Sequence, residues 1–366
     1  MKGVLTAISG VALCVAVFVG FHTLLSADET RPMPGITTEM VDALPVLPGE
    51  LGPLPAAPVP ANDRHVALEI ELGKKLFFDA RLSMDRKTSC ATCHAPEKAY
   101  TDGLALSKGF GGASLNRNAP TILNAAYNTT QFWDGRSASL DEQCKIPLMA
   151  GDEMHMIDEQ HLIARLSGIP GYVRDFQQVY NAEPSLDSVA KSIAVFERTL
   201  VTPDSAFDRY AKGDKHALTD REKRGLILFF GKAACSECHK GSNFTDNQFH
   251  NLGVTPSKGH PDWGRFEITK KEEDRGAFKT PSLRNIALTA PYMHDGSSKT
   301  LEEVIEFYDR GGGDDPRKSK LIYKLNLSPE EKADLLAFMK ALTGRMPNFE
   351  MPATYPEVGV SAANVH

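Results

Sequence analysis

Four of the six cysteines fall into two copies of one pattern, Cys90-Ala91-Thr92-Cys93-His94 and Cys235-Ser236-Glu237-Cys238-His239. Cys-x-x-Cys-His is the sequence at which c-type haem is attached. Two thiols capture the vinyl groups as thioethers, and the adjacent imidazole is delivered to one face of the iron. The competing reading is a pair of zinc or redox Cys-x-x-Cys sites. Such sites do not require a histidine directly after the second cysteine, which both copies have, and they belong to reducing compartments. This chain reads as exported: after Lys2, residues 3–25 carry no Asp, Glu, Lys or Arg. Residues 1–27 therefore form a signal peptide or a single membrane anchor, and the folded part lies in the periplasm. Leu25 is large for a cleavage site after Ala27, and the apolar run is long enough to span a bilayer, so both forms stay open. Cys14, inside that run, lacks the small preceding residue of a lipobox and reads as inert.

These motifs need elements that hold them. Residues 28–61 carry eight prolines between positions 32 and 60, the composition of an extended linker. The folded unit starts near Asn62. From there one module occurs twice. Leu76-Phe77-Phe78 precedes the first motif and Leu228-Phe229-Phe230 the second; Tyr100-Thr101-Asp102 answers Phe244-Thr245-Asp246. His239 follows His94 by 145 residues, whereas Pro281 follows Pro120, and His294 follows Trp133, by 161. The second copy thus holds a 16-residue insertion around Pro256–Arg275. Apolar residues at helical spacing predict helices over 66–78, 162–180, 189–200, 222–230 and 301–308. A last helix opens on Ser328 as N-cap, with Pro329 at its first position and Glu331 completing a capping box, and stops at Gly344. No alternating strand stands out. The predicted fold class is mainly α: two cytochrome c-like haem domains, 62–205 and 206–345, related by internal duplication, followed by a tail over 346–366.

Composition agrees with a globular protein. The chain has 366 residues, 42% of them apolar and 24% charged, with a formal net charge of −6. These values exclude a disordered, collagenous or polytopic membrane chain. Without a Lys/Arg run there is no electrostatic footprint for nucleic acid.

Over about residues 66–345 the sequence resembles the bacterial dihaem cytochrome c peroxidase and MauG family. The resemblance rests on both haem motifs, Arg117-Asn118-Ala-Pro-Thr, Phe132-Trp133-Asp-Gly-Arg136, Gln143, Glu153-Met154, the run from Arg275 to Asn285, and Ala290-Pro-Tyr-Met-His-Asp-Gly296. It implies that the first haem, on His94, meets hydrogen peroxide and that the second, on His239, relays electrons from a small cytochrome c or cupredoxin. Gln143 lies ten residues after Trp133 and Glu153 ten after Gln143, the family's spacing for a bridging tryptophan, an active-site glutamine and a catalytic glutamate. A peroxidase needs such an acid/base group beside an open iron face. Between Ala95 and Glu153 there is no histidine, and the one methionine is Met149. The histidine that caps the first iron in other members is therefore missing, which implies a permanently open face. Met149, Met154, His155 and Met156 are rival ligands there; one beside Glu153 would block the face that the glutamate serves.

For the second iron, generic mono-haem spacing points to Met293. The family instead places the ligand fourteen residues after His294, at Tyr308. MauG-like members have tyrosine there, a hard anionic donor that lowers the iron potential. Asn118, Thr289 and Pro291 match positions that hold a calcium ion through one side-chain and two backbone oxygens, a donor set suited to calcium. The runner-up function is MauG-like oxidation of Trp or Tyr residues on a partner protein. In MauG a tryptophan two residues before the second haem motif carries oxidation outward; here that residue is Ala233, which argues against methylamine dehydrogenase as the substrate. A plain electron carrier is disfavoured by the Trp133, Gln143, Glu153 series. Trp263 has no role assigned by the sequence, and Cys144 stands where a small residue is expected, as a buried inert thiol or a peroxide-sensitive one.

Overall fold

The computed structural model describes residues 37–43, 47, 50–59, 64–254, 262–348 and 352. The leader, Cys14, part of the linker and most of the tail lie outside these residues. The chain divides into two units, Met1–Ala43 and Leu44–His366. In the first, the described residues form one short helix, Thr38–Asp42. No helix among the described residues is long and apolar enough to cross a membrane.

The second unit is mainly helical, and its longer helices among the described residues are α1 (Arg64–Phe78), α2 (Leu140–Met149), α3 (Glu159–Ser167), α4 (Pro170–Tyr180), α5 (Leu186–Glu197), α6 (Ala206–Ala211), α7 (Asp220–Phe230), α8 (Leu301–Asp309) and α9 (Pro329–Ala341). Two helix pairs carry the two copies of the module: α1 packs on α5, and α7 packs on α9. In each pair a glycine sits at the crossing. A Cβ at Gly73 would collide with the Ser192 carbonyl oxygen, and one at Gly225 with the Asp334 carbonyl oxygen. Beside each crossing two rings meet edge to face, Phe77 on Phe196 at 5.3 Å and Phe229 on Phe338 at 5.2 Å between centroids. The aromatic before each haem motif is therefore what the paired helix closes on.

Helix ends follow local chemistry. The Ser328 hydroxyl accepts the Glu331 N–H at 3.1 Å, while the Glu331 carboxylate accepts the Ser328 N–H at 2.7 Å, the expected capping box. The helix expected over 162–180 is two helices, α3 and α4. Pro170 has no N–H to continue the ladder and opens α4 as its first residue instead. Helix α2 is not among the expected helices, because Pro147 lies inside it and interrupts the pattern. A strand pair is a further addition: β1 (Phe249–Asn251) and β2 (Ala277–Lys279) run antiparallel, with His250 opposite Phe278. At three residues each, they are too short to show alternation.

The described part of the insertion folds across the first module. Asp262 takes two hydrogen bonds from Arg117, at 2.6 and 2.9 Å, and Arg265 donates to the Asp134 and Gly135 carbonyls at 2.9 and 3.0 Å. These contacts clamp the loop that carries Trp133. Trp263 itself packs under the Arg275 guanidinium, 4.5 Å from its ring.

Candidate active site

Both Cys-x-x-Cys-His motifs open onto one cavity of about 1090 Å³. The first motif forms a single helical turn, Cys90–Cys93, and the second a 3-10 turn, Cys235–Glu237. In each, the histidine is tied in the same way. His94 Nδ1 donates to the Tyr100 carbonyl at 3.2 Å, and His239 Nδ1 donates to the Phe244 carbonyl at 3.0 Å. That bond leaves the Nε2 lone pair free for a metal and fixes the ring, as metal-ligating histidines require. Burial keeps both rings neutral, holding His239 down to about 4.

The donor set fits covalent haem. All four motif cysteines are free thiols, and burial raises Cys93 and Cys235 to about 12. The compact group of ligand-type atoms found among the described residues is Cys238, Asp246 and His250, which shares a tether cysteine rather than gathering four thiols. The second half of the cavity also carries two basic side chains, buried Lys279 and half-buried His250. Lys279 Nζ reaches the Thr280 carbonyl at 3.3 Å and is held down to about 8 by burial. His250 is raised to about 10, first by the Asp246 carboxylate at 2.9 Å.

The predicted site residues converge on this cavity. Trp133, Gln143, Glu153, Tyr308 and Met293 all stand on its wall. Trp133 is fixed at both ends: its indole N–H donates to the Asn118 carbonyl at 3.0 Å, and its own carbonyl accepts the Lys279 N–H at 2.7 Å. Glu153 sits in the turn after α2, and burial raises its carboxyl above the ordinary range while Arg136 works in the opposite direction. It faces both Cys90 and Cys93. Tyr308, next to last in α8, is half-buried; desolvation pushes its phenol upward, and the neighbouring Cys235 and Cys238 add to the shift. Asn118, Thr289 and Pro291 line the same cavity. Asn118 donates its side-chain N–H to the Leu104 carbonyl at 2.7 Å, which leaves the amide oxygen as the atom offered to a cation.

The rival ligands separate. Met154 reaches the cavity wall, whereas Met149, His155 and Met156 do not. Met156 is 1% exposed in the hydrophobic core, and His155 stacks on Phe110 at the surface.

The sequence reading missed Glu197. It is the last residue of α5, 4% exposed, and stands on the cavity wall near Cys90. The signal was present: Glu197 lies four residues after Ile193 and eight after Val189, on the apolar stripe of its helix. Lys279 gave no such signal, because its strand is too short to define a face.

Comparisons with known proteins agree with this arrangement. Residues 67–216 match the family model for di-haem cytochrome c peroxidase. The chain is 38% identical over 340 residues to cytochrome-c peroxidase IdrP1 of Pseudomonas sp. (strain SCT), covering 84% of this chain and 89% of that protein. It is 40% identical over 301 residues to the methylamine utilization protein MauG of Methylorubrum extorquens, covering 81% and 84%. Among solved structures, a MauG-like protein associated with microbial copper homeostasis superposes with a TM-score of 0.71 at 34% identity, covering 87% of this chain and 96% of that one. Two haem-attachment motifs on one cavity, and relatives matched over most of their length, place this chain in the dihaem cytochrome c peroxidase and MauG family of oxidoreductases that act on peroxide.

Proposed function

We propose that this protein reduces hydrogen peroxide in the periplasm with electrons from a small cytochrome c or cupredoxin, which enter at the second haem site and are used at the first. Each turnover takes two electrons and two protons and converts one peroxide to two waters. The single observation that carries the reading is the common cavity, on whose wall Trp133, Gln143 and Glu153 stand with both motifs. A c-type haem held by Cys90, Cys93 and His94, and another held by Cys235, Cys238 and His239, supply redox-active iron.

The side chains divide the remaining work. Glu153, in its ionised form, takes the proton from the near oxygen of peroxide and returns it to the leaving oxygen. Gln143 hydrogen-bonds the substrate in the same pocket. Trp133 is the electronic bridge between the two sites, and its two tethers hold the ring in one place. Tyr308 would help hold the relay iron, whose positive charge would offset the desolvation that opposes an isolated phenolate. Asn118, Thr289 and Pro291 would hold a calcium ion, through the Asn118 side-chain oxygen and two backbone carbonyls.

The second reading is slow oxidation of Trp or Tyr residues on a partner protein, favoured by the tyrosine at position 308. Steady-state peroxide consumption with reduced cytochrome c separates the two. Fast turnover supports the peroxidase. Slow turnover with prolonged storage of both oxidising equivalents supports protein oxidation, and no reaction overturns both.

A further inference from the structure

Glu197 is not an isolated buried acid. Its Oε2 has no hydrogen-bond partner among the described residues, and the nearest cation, Arg198, is turned onto Asp141 of α2. The groups that face it are Arg198 beside it in the chain, Asp141 and Cys144 from α2, and Cys90 from the first motif. Burial raises Glu197 to about 8, and a filled cavity would desolvate it further, so it holds its proton at neutral pH. Cys144 is 5% exposed and burial lifts it well above the ordinary thiol range, so it also keeps its proton. Its Sγ donates to the Gln143 Oε1 at 3.6 Å.

Two protonated groups in a row give the chain a direction. A protonated Glu197 carboxyl facing Cys144 has a hydroxyl to offer the sulfur and does not compete for the thiol proton, which stays committed to the Gln143 amide oxygen at 3.6 Å. With that oxygen occupied, the amide NH2 is the end left for the pocket.

The duplication supplies an internal control. Val304 and Ile305 follow Gln143 and Cys144 by 161 residues, and Met339 follows Glu197 by 142, the same interval that separates the paired rings Phe196 and Phe338. Val304 and Met339 line the cavity in the second module, and Ile305 is 3% exposed beside them. The polar series is therefore apolar at all three places in the module that carries Tyr308.

We propose that Glu197 and Cys144 are positioning residues, which lock the Gln143 amide with its NH2 toward peroxide on the open face of the first module. This rests on the peroxidase reading above. When Glu197 ionises it becomes an acceptor, draws the thiol proton away from Gln143, and releases the amide.

The test uses the haem-loaded enzyme and three variants. Cys144→Ala should lower kcat/KM for peroxide ~tenfold, the worth of one neutral hydrogen bond, while Cys144→Ser, which keeps a donor, should retain most of the rate. Glu197→Gln should keep the neutral-pH rate but lose the alkaline fall through about pH 8. Infrared difference spectra supply a readout independent of turnover. Wild type should show a protonated carboxyl band at neutral pH that is absent from Glu197→Gln and displaced in Cys144→Ala. A band that is missing in wild type, or unmoved in Cys144→Ala, overturns the chain. So does a Glu197→Gln enzyme with the wild-type alkaline limb. If wild type consumes no peroxide, the peroxidase reading fails, and the infrared bands still decide whether the chain exists.

Discussion

In the first module α2 brings Gln143, Cys144 and Pro147 to the cavity; in the second α8 brings Val304 and Tyr308 to the cavity and buries Ile305 beside them, each pair 161 residues apart. Around these helices the two modules are alike: a glycine at the helix crossing, a ring pair beside it, and a motif histidine tied through Nδ1 to the carbonyl of the aromatic residue that follows. The difference is confined to what the wall offers. Proline has no side-chain donor atom, so position 147 cannot ligate, and the polar groups nearby are an amide and two carboxyls suited to handling peroxide and protons. Tyr308 offers an oxygen beside Val304 and Leu301, the apolar residues that its own helix turns to the cavity. One scaffold thus carries two different walls through three residues on one helix and one on its neighbour, which the proposed function uses as an open site and a closed one.

Removing the acid/base group should break this asymmetry most severely. Glu153→Gln should lower peroxide turnover ~10²–10⁴-fold with both haems still attached, since it deletes the proton shuttle and leaves the tethers alone. The pH dependence has a definite sign. Glu153 must be ionised to accept a proton, and burial raises its pKa, so wild-type kcat/KM should fall toward acid with a limb displaced above that of a free glutamate. A Gln variant that retains wild-type turnover would remove Glu153 from the mechanism.

The closed site is tested by Tyr308→Phe. Loss of the phenol should change the absorption and raise the potential of the second haem only, leaving the first haem's spectrum intact. An unchanged second haem would return Met293, which stands on the same wall, to the ligand position.

The shared scaffold sets the next prediction. Gly73→Ala and Gly225→Ala each push a methyl group into a carbonyl oxygen of the crossing helix. Each should cost about 3 kcal/mol, the upper part of the range for overpacking, and the two losses should be similar in urea titrations. A large effect at one site only would show that the crossings are not equivalent.

Much of this was legible because it is local. The haem motifs, the repeat and the Ser328 capping box are each written within a few residues, and a resemblance of spacing led to Trp133, Gln143, Glu153 and Tyr308. What escaped depends on which surfaces meet. Pro147 masked α2, the helix that carries two of the pocket residues. Glu197 looks like a surface charge until α5 is turned with Val189 and Ile193 inward, and the insertion around Asp262 and Arg265 gains meaning only when it reaches Arg117 and the Trp133 loop.

The smallest effect concerns the place where the two copies are joined rather than where they differ. Asn124 and Asn285 are equivalent residues, 161 apart, both with positive φ and both fully buried. The Asn124 amide oxygen accepts the Thr202 N–H at 2.9 Å, and the Asn285 oxygen accepts the Gly344 N–H at 2.9 Å, so Thr202 and Gly344 are equivalent too. Only Thr202 has a hydroxyl, and it serves both copies: its Oγ1 accepts an N–H from Asn124 at 2.7 Å and one from Asn285 at 2.5 Å. Thr202→Val keeps the shape and removes the acceptor, leaving a buried N–H without a partner in each module. The cost should be about 1–2 kcal/mol, read as a lower urea midpoint with both haem spectra unchanged, while Thr202→Ser should behave as wild type. If the valine variant is as stable as wild type, this hydroxyl contributes nothing to the joint between the modules, and their attachment rests on the apolar contacts and the Asp262 clamp instead.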